Sequence, residues 1–289
     1  MKCLLPAALL MLLPAAGQFP LQWSVPVDGQ LELREHGNPV LVYNYGPQLK
    51  PGAPENRRRC CYIFPLYTPG GVSLLDDFPQ DHYHHRGLFW AWPVVEVGGR
   101  TYDLWMNMTI KDHTSSPPHN TSTAGYARLE AFNTWQIDGR DVVRENLVLM
   151  VFPAKGPSRD LTAEITLEAV AGSVTLKGSR EPSKSYGGFS ARFAAREDTI
   201  LRADGDVLTK DEDLTPRHWA ELEGVYGGKR AVLRITTDPS DSGAPYQWCL
   251  RKYGFVGASF PGRTATQDGF TLQPHKPITL KFDVTVADK

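Results

Sequence analysis

The chain has 289 residues, with 31 basic and 32 acidic side chains and a formal net charge of −1. That length supports a full hydrophobic core. The even charge balance offers no basic face for nucleic acid and contains no charge run of the kind that marks disorder.

Residues 1–17 read as a secretory signal: Lys2 opens it, residues 3–13 are apolar, and Ala15, Ala16 and Gly17 form the small-residue cleavage region before Gln18. The apolar run is shorter than the ~20 residues a membrane-spanning helix needs, and no later stretch is long and apolar enough to span. The expectation is a signal over 1–17, one domain over 18–289, and a secreted or periplasmic mature chain. Cys60, Cys61 and Cys249 then remain, an odd count that fits no complete disulfide framework. One bridge from Cys60 or Cys61 to Cys249 stays open, and cysteine spacing of the zinc-binding kind is absent. Asn107 and Asn120 head glycosylation sequons.

From there the chain reads as β almost throughout. "QLELRE" and "PVLVYNY" are split by the turn-like "HGNP", and "YIFPLYT", "GLFWAW", "VVEV" and "TYDLW" follow with Pro and Gly punctuation. "YARLEAFNTWQI" and "VVRENLVLMVF" flank "DGRD", a hairpin signal. "LTAEITLEAV", "SVTLKG", "GGFSARFA", "WAELEGVY", "RAVLRITTD", "YQWCLRKYGFVGA" and "ITLKFDVTVAD" complete the series. Residues 48–56 and 114–124 are Pro/Gly-rich loops. No window sustains helical spacing, so the sequence predicts an all-β sandwich or barrel.

The chemistry concentrates in "FPQDHYHHRGLFWAW", residues 78–92. Read as a strand, it alternates faces. His82, His84, Arg86, Leu88, Trp90 and Trp92 share one face; Asp81, Tyr83, His85, Gly87 and Phe89 share the other. Imidazole titrates near neutral pH and moves protons there, guanidinium forks onto oxygen pairs, and tryptophan offers a flat apolar wall. His82, His84, His85 and Arg86 are therefore the candidate catalytic groups. Trp92 and Trp105, with Arg192 in "GGFSARF", Trp219 in "HWAELEGVYGG" and Trp248, Arg251 and Tyr253 in "YQWCLRKYG", are the candidate ligand-binding groups. His-x-His on a strand is also a metal-ligand spacing. Arg86 beside it opposes a dication, so the expectation is no bound metal and no cofactor.

"YIFPLYTPGG", "DDFPQDHYHHRGLFWAW", "GGRTYDLW", "GGFSARFA", "HWAELEGVYGG" and "WCLRKYGF" together resemble a family of secreted bacterial proteins labelled PmoA-like, or "methane oxygenase PmoA". The stretch D-H-x-H-H-R-G is the most specific element, and the resemblance covers most of the mature chain. Members often carry His where this chain has Phe64. The family in turn resembles the galactose-mutarotase-like supersandwich of sugar epimerases and some polysaccharide lyases. That resemblance implies two large antiparallel sheets, a β-sandwich, and a carbohydrate-sized cleft on one concave face. Methane oxidation is not supported, because the chain has no spanning segment.

Two functions stay open. One is a carbohydrate-active hydrolase, lyase or epimerase acting on a sugar or glycoside in a His/Arg/Trp-lined cleft. The other is a non-catalytic glycan-binding or structural module.

Overall fold

The computed structural model describes residues 19–106, 109–114, 117–181, 184, 186–241, 246–261 and 269–289, without the side chains of 111–114. The signal-like segment and the Asn107 sequon lie outside the described residues.

Strands dominate. Among the described residues the one helical element is a 3-10 turn, Glu55–Arg57, and none of them forms a helix long and apolar enough to cross a membrane. A nine-stranded sheet runs in the order Leu21–Ser24, Gln30–Glu35, Asn38–Asn44, Tyr62–Leu66, Leu88–Ala91, Gly188–Arg192, Phe255–Ser259, Gln247–Arg251, Glu212–Pro216. A ten-stranded sheet runs Asp206–Val207, Glu197–Ala203, Trp219–Tyr226, Lys229–Thr237, Ile278–Asp288, Ser158–Ala169, Arg140–Val151, Ala127–Ile137, Lys111–Thr114, with His119–Ser122 also on Ala127–Ile137. Four short strands, Phe270–Leu272, Val174–Lys177, Val94–Val97 and Arg100–Tyr102, make a third sheet. The strand pairs within all three sheets are antiparallel.

The two large sheets close face to face as a sandwich. Phe189 of the first stacks on Phe282 of the second, with centroids 4.3 Å apart. Asn133 donates across the gap to the Tyr43 hydroxyl at 3.2 Å, and Arg159 pairs with Glu35. Alternation builds this core. In Ala127–Ile137, Leu129, Ala131, Trp135 and Ile137 point inward while their neighbours are half-buried or exposed. The hairpin signalled by "DGRD" is present: Asp138 (φ 49°) and Gly139 (φ 74°) adopt the left-handed pair that matches strand twist.

Three expectations are corrected. Residues 114–124, read as a loop, contain the strand His119–Ser122, which pairs with Ala127–Ile137. Residues 246–258, read as one strand, are two: Gln247–Arg251 turns at 252–254 and returns as Phe255–Ser259. A bridge from Cys60 or Cys61 to Cys249 is out of reach. The cysteines at 60 and 61 lead into Tyr62–Leu66, four strand positions from Gln247–Arg251. At ~4.8 Å per strand that separation is roughly 19 Å, while disulfide α-carbons lie within about 7 Å.

Candidate functional site

Register on the nine-stranded sheet decides which side chains can meet a ligand. Trp90, Phe189, Ala258 and Trp248 lie in one row across four neighbouring strands. Phe189 stacks on Phe282 of the opposite sheet, so that row faces the core. Phe89, Ser190, Gly257 and Cys249 form the next row and face the other way. Arg251 and Phe255 pair one step further along on that same outer face.

Over this outer face lies the segment 78–87, and it is not a strand. It is a compact turn, closed by Phe78 N–H donating to the His85 carbonyl (3.3 Å), His82 N–H to Pro79 (3.0 Å) and His85 N–H to His82 (2.8 Å). Arg86 holds it from within. Its guanidinium donates to the carbonyls of Tyr83 (2.6 Å) and His85 (2.9 Å) and to that of Arg57. It also lies 3.8 Å from Asp77, whose other oxygen accepts from the Tyr62 hydroxyl at 2.9 Å. Gly87 lets the turn meet the sheet. A β-carbon there would come within 2.3 Å of the Ile63 carbonyl, so no larger residue fits without moving backbone.

The turn gathers all three histidines instead of dividing them between two faces. Tyr253, His82, His85 and Phe255 form a column of near-parallel rings, with successive centroids 5.5, 4.7 and 5.0 Å apart. His84 meets His82 and His85 edge-on at 5.5 and 4.5 Å. His82 Nδ1 is 2.9 Å from a carboxylate oxygen of Asp81. Arg192, on Gly188–Arg192, reaches both oxygens of Asp81 at 2.8 and 2.9 Å, with its guanidinium 4.8 Å from the Tyr253 ring. The strand carrying Arg192 starts where Gly188 (φ 121°) packs against the Ala258 carbonyl, a contact only glycine allows.

These rings line a cavity of about 140 Å³. His82, His84, His85, Trp105, Arg251 and Tyr253 were singled out from the sequence and are on its wall. Cys249, Phe255, Met106, Glu181, Lys184 and Tyr186 complete it and were not assigned a ligand-facing role. Glu181 accepts from Tyr186 (2.6 Å) and pairs with Lys184, while Arg251 is neutralised by Asp213 at 2.7 Å. The segment 181–186 offered only loop composition. Cys249 and Phe255 were reachable from alternation, as the residues two before Arg251 and two beyond Tyr253.

Burial sets the electrostatics. It pushes the His84 pKa down to about 3, helped by the charges of His82 and Arg57. Burial likewise holds His85 well below its ordinary value, with His84 and His82 adding to the effect. Both rings are neutral at pH 7. Asp81 goes the other way: burial alone would raise it, but His82 and Arg192 together hold it below the usual carboxylate range. Among the described residues, no group of three His, Cys, Asp or Glu side chains is placed to share one metal ion.

Four sequence-based candidates stand elsewhere. Arg86, 1% exposed, is turned away from the cavity and spent on backbone carbonyls. Trp92 is fully buried, donating to the Phe260 carbonyl and packing against Trp135 at 5.2 Å. Trp248 is fully buried too and donates to the Arg217 carbonyl at 2.7 Å. Trp219 belongs to the ten-stranded sheet, where its ring lies 4.0 Å from the Arg234 guanidinium. Arg192 is one step back from the wall, acting on Asp81 and Tyr253.

Fold and site thus define an antiparallel β-sandwich with a histidine-rich aromatic cavity on the outer face of one sheet. A family model described as "Family of unknown function (DUF6807)" matches residues 30–289, and the chain belongs to that family. No curated protein matches it. Among solved structures it is similar to a chain titled "Heparinase III-BT4657 gene product", at 11% identity and a TM-score of 0.36. The match covers 90% of this chain and 33% of that one, so this chain spans about a third of that protein's length.

Proposed function

We propose that the cavity binds a sugar or glycoside and that the protein is a carbohydrate-active hydrolase, lyase or epimerase working outside the cytoplasm. The observation that carries this reading is the Asp81–His82 pair at the mouth of the aromatic column. A carboxylate 2.9 Å from Nδ1 acts on the imidazole through its charge and favours the tautomer protonated at Nδ1, leaving Nε2 for a ligand proton. Trp105 and Tyr253 supply flat apolar walls for a sugar ring, while neutral His84 and His85 offer hydrogen bonds to hydroxyl groups. The signal-like residues 1–17 support the location.

Among the three histidines we assign proton transfer to His82, beside which Asp81 lies at 2.9 Å. A conjugate acid with a pKa near 3, as for His84, makes a weak base at neutral pH, and proton transfer is most effective when the pKa lies near the working pH. That same weakness supports a second reading. A cavity whose buried imidazoles only hydrogen-bond is what a non-catalytic glycan-binding module needs.

The test is a screen of the purified protein against neutral and acidic sugars, oligosaccharides and 3-keto-glycosides, reading both heat of binding and product. The catalytic reading expects turnover of one class, lowered ~100- to 10,000-fold in His82→Ala with binding retained. Binding without turnover moves the protein to the second reading. No binding by any sugar rejects both.

A further inference from the structure

Adjacent residues in an extended chain point to opposite faces. Cys60 and Cys61 do not. Their sulfurs are 2.9 Å apart, closer than unbonded sulfurs ordinarily approach, and both side chains are buried, at 2% and 1% exposure. Cys61 brings this about by adopting φ 65°, the left-handed region that a non-glycine residue enters only where its surroundings require it. Its N–H still donates to the Asn44 carbonyl at 2.7 Å, so the bend sits one residue before the strand Tyr62–Leu66 and is tied to the neighbouring strand Asn38–Asn44.

We propose that Cys60 and Cys61 form a reversible vicinal disulfide, a modification site at the base of the loop that carries Arg57 and Arg59. The oxidant is a disulfide-bearing thiol reagent acting as the chain folds. A Cys60 thiolate attacks one of its sulfurs and expels a thiol. The Cys61 thiolate then attacks Cys60 sulfur and expels the second, so two protein thiols become one disulfide and one reagent disulfide becomes two thiols. Adjacent α-carbons lie only ~3.8 Å apart, below the roughly 4.4–6.8 Å usual for disulfides. The link is therefore easier to reduce than an ordinary structural bridge.

Its position gives it a consequence. The loop is tied back by the Gln48–Arg59 backbone pair. Arg59 donates to the carbonyls of Trp90 (2.8 Å) and Leu104 (3.2 Å), and the Arg57 carbonyl accepts from Arg86. The disulfide would pin the loop that steadies both the histidine turn and the residue before Trp105. This inference does not depend on the sugar reading.

Trypsin cleavage after Arg59 and Arg86 releases residues 60–86 with both cysteines in one peptide. Protein refolded with oxidised glutathione is denatured with an alkylating agent before digestion. The expected peptide is unalkylated and lighter than the dithiol form by two hydrogens, about 2 Da, while Cys249 is alkylated. Dithiothreitol should restore two alkylation sites. In Cys60→Ser the mass loss should vanish, along with any effect of oxidant on the wild-type melting temperature. Peptide 60–86 carrying two alkyl groups after oxidation, or either cysteine joined to Cys249, overturns the proposal without any variant having to fold.

Discussion

The guanidinium carbon of Arg86 lies 3.4 Å from the centroid of the Phe78 ring. The two residues bracket the histidine turn, so a cation stacked on an aromatic face closes the segment from inside. Arg86→Met should leave three carbonyls without their donor and Asp77 without its cation. We expect a stability loss of about 3 kcal/mol or more by urea denaturation. A variant that melts like wild type yet no longer binds sugar would instead return Arg86 to the ligand.

Trp248 and Cys249 are neighbours with opposite duties. Trp248→Ala empties a large core position and should cost about 3–5 kcal/mol. Cys249→Ala removes one small group from the cavity wall and should cost about 1 kcal/mol, changing ligand affinity instead. Paired denaturation and binding curves check both, and comparable stability losses would show that the row assignment is wrong.

Acidification should unfold the protein early, because the buried histidines must charge. His84 has a folded pKa of about 3 against 6.5 unfolded. The unfolded chain therefore binds more protons between those values, and stability falls as pH drops below about 6.5. At pH 5 this costs about 2 kcal/mol. His85 acts in the same direction. Asp77 opposes them. Burial lifts it to about 6 despite Arg86, so it gains a proton in the folded state first and returns about 1 kcal/mol by pH 5. The net expectation is a melting temperature that declines from pH 7 to 5, with a shallower decline in His84→Gln. A flat profile in wild type would contradict the burial of these rings.

Asp81→Asn tests the carboxylate–imidazole pair. Asp81 is half exposed, so its loss should change stability by no more than about 1 kcal/mol. If His82 transfers a proton, turnover should fall ~10- to 100-fold while sugar affinity holds. A fall in affinity alone would support the binding-module reading.

The strands were legible because half-buried antiparallel strands write their environment into alternation, as Ala127–Ile137 does. The importance of residues 78–87 was legible from composition, since histidines beside tryptophans suit neither core nor solvent. Its shape was not. Phe78 at φ 51° and the turn bonds at Pro79 and His82 break the period-two rule, and Pro79 alone signals that break without saying how the chain continues through His82 to Arg86. Carrying the alternation of Leu88–Ala91 backwards therefore put His84 and His85 on opposite faces when their rings touch. The tryptophans misled for a related reason. Trp248 and Trp92 are large and polar-tipped, but their indole N–H groups are satisfied by backbone carbonyls, which sequence cannot reveal. Glu181 and Tyr186 reach the cavity from a distant loop through tertiary closure alone.

The ring column also makes the site its own reporter. His82 has an aromatic neighbour on each face, Tyr253 outside and His85 inside. Both ring currents shield its carbon-bound protons, so they should resonate well upfield of an ordinary histidine. A ligand that wedges beside Tyr253, which is 46% exposed, must part the outer pair before the inner one. Occupancy would then register as a downfield step in one resolvable proton signal, readable without a label, a chromophore or a known reaction.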